Sequence, residues 1–184
     1  LIAECSKVGA EEPVTAEKSF TPSISSGSVD VEIVFDSSGL AGSDVVVFEE
    51  LYEDEEKLAE HKEITDEGQT IYYPSIETLA ADDKTGTNTA HAEREVTVVD
   101  TVSYENLQAG RTYTLTGTLM VKETGQAYKD ADGNIVTASR FFIPEEPSGT
   151  VEISFVFNGV NAAGETLVAF EELSRGGVTY AVHT

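Results

Sequence analysis

Apolar and polar residues alternate with a period of two along several short stretches of the chain. Residues 29–35 read VDVEIVF, which places the apolar side chains on one face and Asp30 and Glu32 on the other. This period predicts a half-buried β-strand. Residues 45–48 (VVVF) instead form a continuous, mostly β-branched run, which is typical of a central strand buried on both faces.

Comparable stretches recur through the rest of the chain. Strands are predicted at residues 58–62, 69–73, 76–80, 96–104, 111–120, 135–142, 151–157, 166–170 and 178–182. The segments between them are rich in Gly, Asp, Asn and Thr and predict turns, and no stretch has a convincing amphipathic helical pattern. Short strands at this spacing predict an all-β fold made of immunoglobulin-like β-sandwiches.

Part of the sequence is repeated at a fixed distance. The tetrapeptide FEEL stands at residues 48–51 and again at 170–173, an offset of 170 − 48 = 122, and His183 follows His61 at the same offset. Further pairs share this offset: VTA at 14–16 and 136–138, Phe20 and Phe142, Pro22 and Pro144, SG at 26–27 and 148–149, VF at 34–35 and 156–157, and AG at 41–42 and 163–164. A constant register over many residues indicates tandem copies of one domain.

A repeat of 122 residues does not fit twice into 184 residues. We therefore expect residues 1–73 to be the C-terminal portion of a first domain, truncated at its N-terminal side. Residues 74–184 are expected to be a second domain that lacks its last strand. Tyr73 and Pro74 leave almost no linker between the two, which predicts a stiff connection.

The charge of the chain argues against two classes of partner. Acidic residues outnumber basic ones by 34 to 11, for a formal net charge of −23, and this field repels nucleic-acid phosphates and anionic lipid. We expect no nucleic-acid partner and no membrane insertion, since no apolar run is long enough to span a bilayer and no signal peptide is recognisable. The single cysteine, Cys5, excludes an internal disulfide framework and is expected to be a small apolar residue.

One group of residues has a spacing suited to chemistry. His61, Asp66 and Gln69 bring an imidazole, a carboxylate and a carboxamide within nine residues, although a solvated histidine beside acidic residues would give the same pattern. His91 lies in a Thr-rich loop and is expected to be solvated. The acidic clusters at 53–56, 82–83 and 130–132 lack EF-hand spacing, so we expect solvated turns, no metal and no cofactor.

Several motifs together resemble a known family. They are Val46-Val47-Phe48-Glu49 and Val168-Ala169-Phe170-Glu171, the His61, Asp66, Gln69-Thr70 ending, DTVSYENL at 100–107, LTGTLM at 115–120 and KETG at 122–125. The combination resembles the bacterial surface adhesin domains that form an intramolecular ester bond between Thr and Gln, also called VaFE repeats. The resemblance covers essentially the whole chain.

The resemblance implies a reaction and the residues that carry it out. In that family a threonine on the first strand is joined to a glutamine on the last strand with release of ammonia, assisted by a histidine and acidic residues. By position, the second domain would use Thr78, Asp100, Glu171 and His183. The first domain would use Glu49, His61, Asp66 and Gln69; Thr85, Thr87 and Thr89 are poorer nucleophile candidates because they lie in a loop.

The sequence departs from the complete pattern in both copies. The glutamine that would pair with Thr78 falls at 69 + 122 = 191, and the threonine for Gln69 falls before residue 1. A bond between Thr78 and Gln69 is not expected, because the two belong to different domains.

The resemblance therefore implies a stalk module of an extracellular, cell-wall-attached adhesin of a Gram-positive bacterium. Its partners would be neighbouring repeats and, through other domains, a host-surface ligand. Its chemistry would be at most a single-turnover, self-formed cross-link, so that it is not an enzyme. The alternatives are a ligand-binding adhesin domain and a pilin-type domain with a Lys–Asn isopeptide bond.

Overall fold

Two antiparallel β units make up the chain. The computed structural model describes residues 2–7 and 13–184, and the chain divides into compact units at Leu1–Tyr73 and Pro74–Thr184. The described residues contain thirteen strands and one 3-10 helix but no α-helix. The fold is all-β and immunoglobulin-like, as the strand pattern predicted.

The first unit contains one five-stranded sheet. Its strands are β1 (Ile2–Lys7), β2 (Val14–Glu17), β3 (Asp44–Glu53), β4 (Glu56–His61) and β5 (Thr70–Tyr72), and a 3-10 helix spans Glu67–Gln69. The order is β2-β1-β3-β4, and β5 pairs with β3 at Asp44–Val46, beyond the end of β4. Val45 and Val46 are each 2% exposed, which confirms burial on both faces at these two positions, while Val47 and Phe48 are half-buried.

The second unit is a sandwich of two sheets. Its strands are β6 (Ser75–Asp82), β7 (Val96–Glu105), β8 (Tyr113–Val121), β9 (Gln126–Ala127), β10 (Thr137–Phe142), β11 (Gly149–Phe157), β12 (Leu167–Arg175) and β13 (Val178–His183). One sheet has the order β10-β8-β12-β13 with β9 beside β8, and the other has the order β11-β7-β6. These two sheets hold the residues from which the candidate site is built.

The core of the second unit lies between its two sheets. Val102, Leu115, Phe155 and Leu173 have no exposed surface, and burying such a side chain contributes roughly 1.5–3 kcal/mol. Alternate residues of β11 are buried, which confirms the predicted period of two. A Cβ atom added at Gly117 would lie 2.6 Å from Cζ of Phe155. Because Gly117 has no side chain, the Phe155 ring can pack directly against its backbone.

The repeat found in the sequence is present in the strand pairing. Glu49 pairs with His61 across β3 and β4, and Glu171 pairs with His183 across β12 and β13. A register shift follows Leu51 in the first hairpin and Leu173 in the second, again 122 residues apart. The two hairpins are therefore equivalent down to their irregularities.

The offset is not constant over the whole chain. Ala3 pairs with Glu49, and Gly117 pairs with Glu171, so β1 and β8 are equivalent at an offset of 117 − 3 = 114. The second unit therefore has 122 − 114 = 8 more residues between β8 and β10 than the first unit has between β1 and β2. These residues lie around β9, in a loop whose greater length the repeated motifs did not show.

The strand predicted at residues 29–35 is wrong. Its side chains alternate between half-buried and exposed, as the sequence indicated, but the segment is in no strand. Its counterpart β11 pairs with β7 along its whole length. The segment equivalent to β7 in the first unit would lie 122 residues earlier, before residue 1. Alternation gives a segment two faces, but a strand also needs a neighbour for its backbone hydrogen bonds.

One expectation falls outside the described residues. Cys5 was expected to be a small apolar residue, and its side chain is not among those described.

Candidate functional site

Two carboxyl groups meet in the core of the second unit, one from each sheet. Asp100 on β7 has no exposed surface and Glu171 on β12 is 2% exposed. Each lies at an inward position of its strand, Asp100 in line with Val102 and Glu171 in line with Leu173. An ionisable residue where the period of two requires an apolar one is costly to bury, and such a departure from the pattern marks a candidate site.

Glu171 holds its proton more tightly than an ordinary glutamate does. Burial, followed by hydrogen bonding and charge repulsion from Asp100, raises the pKa of Glu171 to about 9, while the Thr78 hydroxyl acts in the opposite direction. Glu171 is therefore protonated at neutral pH. None of the four carboxyl oxygens of Asp100 and Glu171 has a partner at full hydrogen-bond geometry among the described residues. The two carboxyl groups are therefore able to hydrogen-bond to a further group that enters the site.

Thr78 reaches this pair from β6, the first strand of the unit. It lies at an inward-facing, half-buried position next to Ile76 along the same face, and its hydroxyl contacts Glu171. The structure thus brings Thr78, Asp100 and Glu171 together from three strands. The poorer candidates Thr85, Thr87 and Thr89 are exposed and hydrogen-bonded within their own loop.

His183 is placed beside Glu171 by strand register. The two residues are directly opposed on β13 and β12, and β13 also approaches β6, the strand that carries Thr78. His183 is half-buried. It therefore lies beside the carboxyl pair on the neighbouring strand.

The first unit contains the histidine and carboxylates that would surround the glutamine. Nε2 of His61 lies 3.0 Å from Oδ2 of Asp66, and its Nδ1 lies 3.8 Å from Oε2 of Glu49. Oδ1 of Asp66 accepts a hydrogen bond from the Gly68 amide at 2.8 Å, which caps the 3-10 helix that ends at Gln69. Asp66 therefore ties the imidazole to the turn that presents the carboxamide.

Neither unit holds all the predicted residues. Gln69 is half-buried immediately before β5, but the counterparts of Thr78 and Asp100 in the first unit would precede residue 1. In the second unit the counterparts of Asp66 and Gln69 would follow Thr184. The two units together show every component, distributed over two equivalent sites.

Two of the three acidic turns differ from the solvated turns that were expected, whereas residues 53–56 are exposed, as expected. Asp82 is 5% exposed and accepts a hydrogen bond from the Thr85 amide, while Asp130 is 9% exposed and accepts from the amides of Asp132 and Asn134. These carboxylates hold loops in shape, a role that depends on tertiary contacts. His91 is exposed, as expected, and no group of three or more metal-ligating side chains occurs among the residues described.

Comparison with known proteins identifies the family. The sequence model of the "T-Q ester bond containing domain" matches residues 3–73 and again residues 74–184. The chain belongs to this family. Both ester bond domains are thus recognised, with their boundary at the same residues as the two compact units.

The solved structures similar to this chain include two crystal forms of a bacterial adhesin from Mobiluncus mulieris, described as containing intramolecular disulfide, isopeptide and ester bond cross-links. Sequence identity is 17% and 18%, each match covers 60% of this chain, and the TM-score is 0.43 for both. The matches cover 53% and 52% of the adhesin chains, so this chain matches about half of their length. No curated protein matches the chain.

In the described part of the chain, no helix is long and apolar enough to cross a membrane.

Proposed function

We propose that the second ester bond domain forms a covalent ester between the Thr78 hydroxyl and the side-chain carboxamide of a glutamine at position 191, in a chain that continues beyond Thr184. The observation that carries the proposal is that Thr78 on β6 meets the buried carboxyl groups of Glu171 and Asp100. A hydroxyl next to a neutral acid in a dry site is suited to attack on a carbonyl group.

The reaction divides into steps that the residues can perform. The imidazole of His183 takes the proton of the Thr78 hydroxyl, because that hydroxyl is a poor nucleophile until a base removes its proton. Oγ1 of Thr78 attacks the carboxamide carbon, and the oxyanion accepts a hydrogen bond from protonated Glu171. The C–N bond then breaks, and the nitrogen leaves as ammonia with the proton taken from the hydroxyl.

The first domain would use the same chemistry with Gln69 as the acyl donor. Glu49 and His61 have the same strand register as Glu171 and His183, and Asp66 fixes the turn that carries Gln69. In this sequence the first domain contains the glutamine of its own cross-link, and the second domain contains the threonine of a separate, equivalent cross-link. Fold and register, rather than diffusion, would provide the proximity.

The purpose of the bond would be mechanical. β6 opens the second domain, and the glutamine strand would close it, so an ester between them ties together the two ends through which tension enters. A covalent tie also limits the entropy that the chain gains on unfolding, as a disulfide does. We infer a stalk module of a cell-wall-attached surface adhesin, with neighbouring repeats as its partners and any host ligand bound by other domains.

The alternative isopeptide bond has less support. Its nucleophile is a neutral lysine amine, which requires burial to lower the pKa of the amine. All three lysines of the second unit, Lys84, Lys122 and Lys129, are exposed, and Lys84 is paired with Glu93. The half-buried nucleophile beside the carboxyl pair is the hydroxyl of Thr78, which favours the ester.

Intact-mass measurement tests the proposal. We expect the 184-residue chain to keep its full mass, and a longer chain that includes a glutamine at position 191 to lose the mass of one ammonia from the second domain. Thr78→Ala should abolish that loss, whereas Thr85→Ala, which changes an exposed threonine in a loop, should not. Hydroxylamine should cleave the ester and open the cross-link, because it attacks esters but not isopeptides. An unchanged mass in the longer chain would refute the ester in the second domain.

A further inference from the structure

A cavity of about 300 Å³ opens between the sheets of the second unit, beside β12 and β6. Its wall is mainly aliphatic and unusually rich in small side chains, and its polar rim is formed by the loop after β6. The residues that matter for its shape are Ala80, Val98, Leu119, Leu167 and Ala169. A cavity of this size is at the lower end of those that bind a ligand group.

The adjacent edge of β12 is free to pair with a strand. β13 pairs with β12 only at Glu171–Arg175, and in the described part of the unit no strand occupies the same edge at Leu167 and Val168. In the first unit the equivalent edge is occupied, because β5 pairs there with Val45 and Val46 of β3. The two units therefore show this edge with and without its strand.

The register of β5 shows what would enter the cavity. Ile71 pairs with Val45, and paired residues project to the same face of a sheet. Val45 is buried, and Ile71 lines a cavity of the first unit together with Val47, although it is 47% exposed there. At the 122-residue offset Val45 corresponds to Leu167, which lines the cavity, so the counterpart of Ile71 would project into it.

The next residue projects the other way. Tyr72 pairs with Asp44, which is exposed, so alternate positions of this strand face inward and outward. In strand addition the backbone hydrogen bonds provide affinity, and pockets for alternate side chains provide specificity. Here the cavity lies on the inward side of the strand.

The geometry points to a specificity socket for the closing strand. The cavity receives an aliphatic side chain located two residues after the reacting glutamine, as Ile71 follows Gln69, and its occupant is the strand that follows β13 in the continuing chain. This assignment rests on the proposed ester chemistry, because the socket sets the register that brings the carboxamide to Thr78. Ala80 and Ala169 leave the space that the incoming side chain fills.

A synthetic peptide tests the socket separately from the reaction. The probe has the sequence of residues 66–73, DEGQTIYY, with Gln69→Ala so that no ester can form, and it is titrated into the 184-residue chain by calorimetry. Adding Ile71→Asp to the probe should weaken binding by at least about tenfold, because a carboxylate would be buried without a partner. Adding Tyr72→Asp gives the same charge on the outward face and should leave affinity within about threefold.

A change in the cavity provides the reciprocal test. Ala169→Leu fills the socket and should weaken binding of the probe by about tenfold, while Glu172→Leu, on the exposed face of the same strand, should not. Thermal unfolding of both variants verifies that they are folded. If Ala169→Leu proves unstable, the comparison of the two peptides still decides the question.

The outcomes separate the socket from the proposed function. If the peptide with its glutamine intact binds but never loses ammonia, the socket stands and the ester proposal fails. If the Ile71→Asp peptide binds as well as its Tyr72→Asp control, the socket is refuted even where an ester forms. If the chain self-associates without peptide and the peptide cannot bind, a second copy fills the edge, and the assignment to the closing strand is overturned.

Discussion

Glu171 and Asp100 place two carboxyl groups against each other from opposite sheets of the second domain, both almost completely buried. Such a pair cannot carry two charges without a large cost. The structure resolves this by keeping Glu171 protonated, with its pKa raised from 4.5 to about 9. A group that the reaction needs as an acid is thus held neutral by its surroundings.

This raised pKa makes the stability of the second domain depend on pH. The unfolded chain releases the Glu171 proton near pH 4.5, and the folded domain keeps it until about pH 9. The contribution of this group to stability is therefore complete below pH 4.5 and is lost as the pH rises to about 9, with a slope of at most about 1.4 kcal/mol per pH unit. We expect Glu171→Gln to flatten the fall in melting temperature over this range, measured by calorimetry at a series of pH values.

Glu172→Gln is the matched control for this prediction. It makes the same substitution at the adjacent, exposed position of β12, so it should shift the plot of melting temperature against pH without changing its slope. Equal slopes for wild type and Glu171→Gln would contradict the raised pKa.

Gly117 provides a test of how closely the sheets pack around the site. It pairs with Glu171 across β8 and β12, and a Cβ atom there would lie 2.6 Å from Cζ of the fully buried Phe155. Gly117→Ala should destabilise the second domain by about 1–3 kcal/mol, as measured by chemical denaturation. Phe155→Leu in the same chain should make the combined cost less than additive; strict additivity would show that the ring and the glycine do not contact each other.

Asp66 in the first domain should hold the turn that presents Gln69. Its side chain accepts from the Gly68 amide at 2.8 Å and contacts His61 at 3.0 Å. Asp66→Ala removes both contacts, and a lost cap costs about 1 kcal/mol, or roughly fivefold in local opening. The Gly68 amide should therefore exchange faster with solvent by NMR, while Glu67→Ala, one residue along, should leave it unchanged; the same rate in both variants would exclude the cap.

The sequence contained enough to predict the strands that carry the site. Inward apolar positions at a period of two located β7 and β11, and the repeated FEEL tetrapeptide located the equivalent hairpins. Asp100 and Glu171 stand out because they interrupt that period with a carboxylate. Burial of Asp82 could not be predicted in this way, because its acceptor role toward Thr85 depends on how a loop folds.

Local pattern also could not reveal whether a strand has a neighbour. Residues 29–35 alternate as well as β11 does, yet only β11 has a paired strand. The length of the loop around β9 was hidden for a related reason, since repeated motifs fix an offset only where they occur.

Hydrogen exchange should reveal this difference between equivalent segments. Amides of β11 are held in the ladder with β7, whereas amides of residues 29–35 have no ladder to join, and unpaired backbone amides exchange readily with water. We expect the amide of Ile33 to exchange at least about a hundredfold faster than that of Phe155, its counterpart 122 residues later, because the first is limited by local opening and the second by unfolding of a core strand. Asp30 and Glu152 form a second pair for the same comparison, and both have exposed side chains, so a difference there cannot come from side-chain burial. Comparable protection in the two segments would mean that residues 29–35 have found a partner strand in solution, and the apolar face lined by Val31 and Ile33 would then be covered.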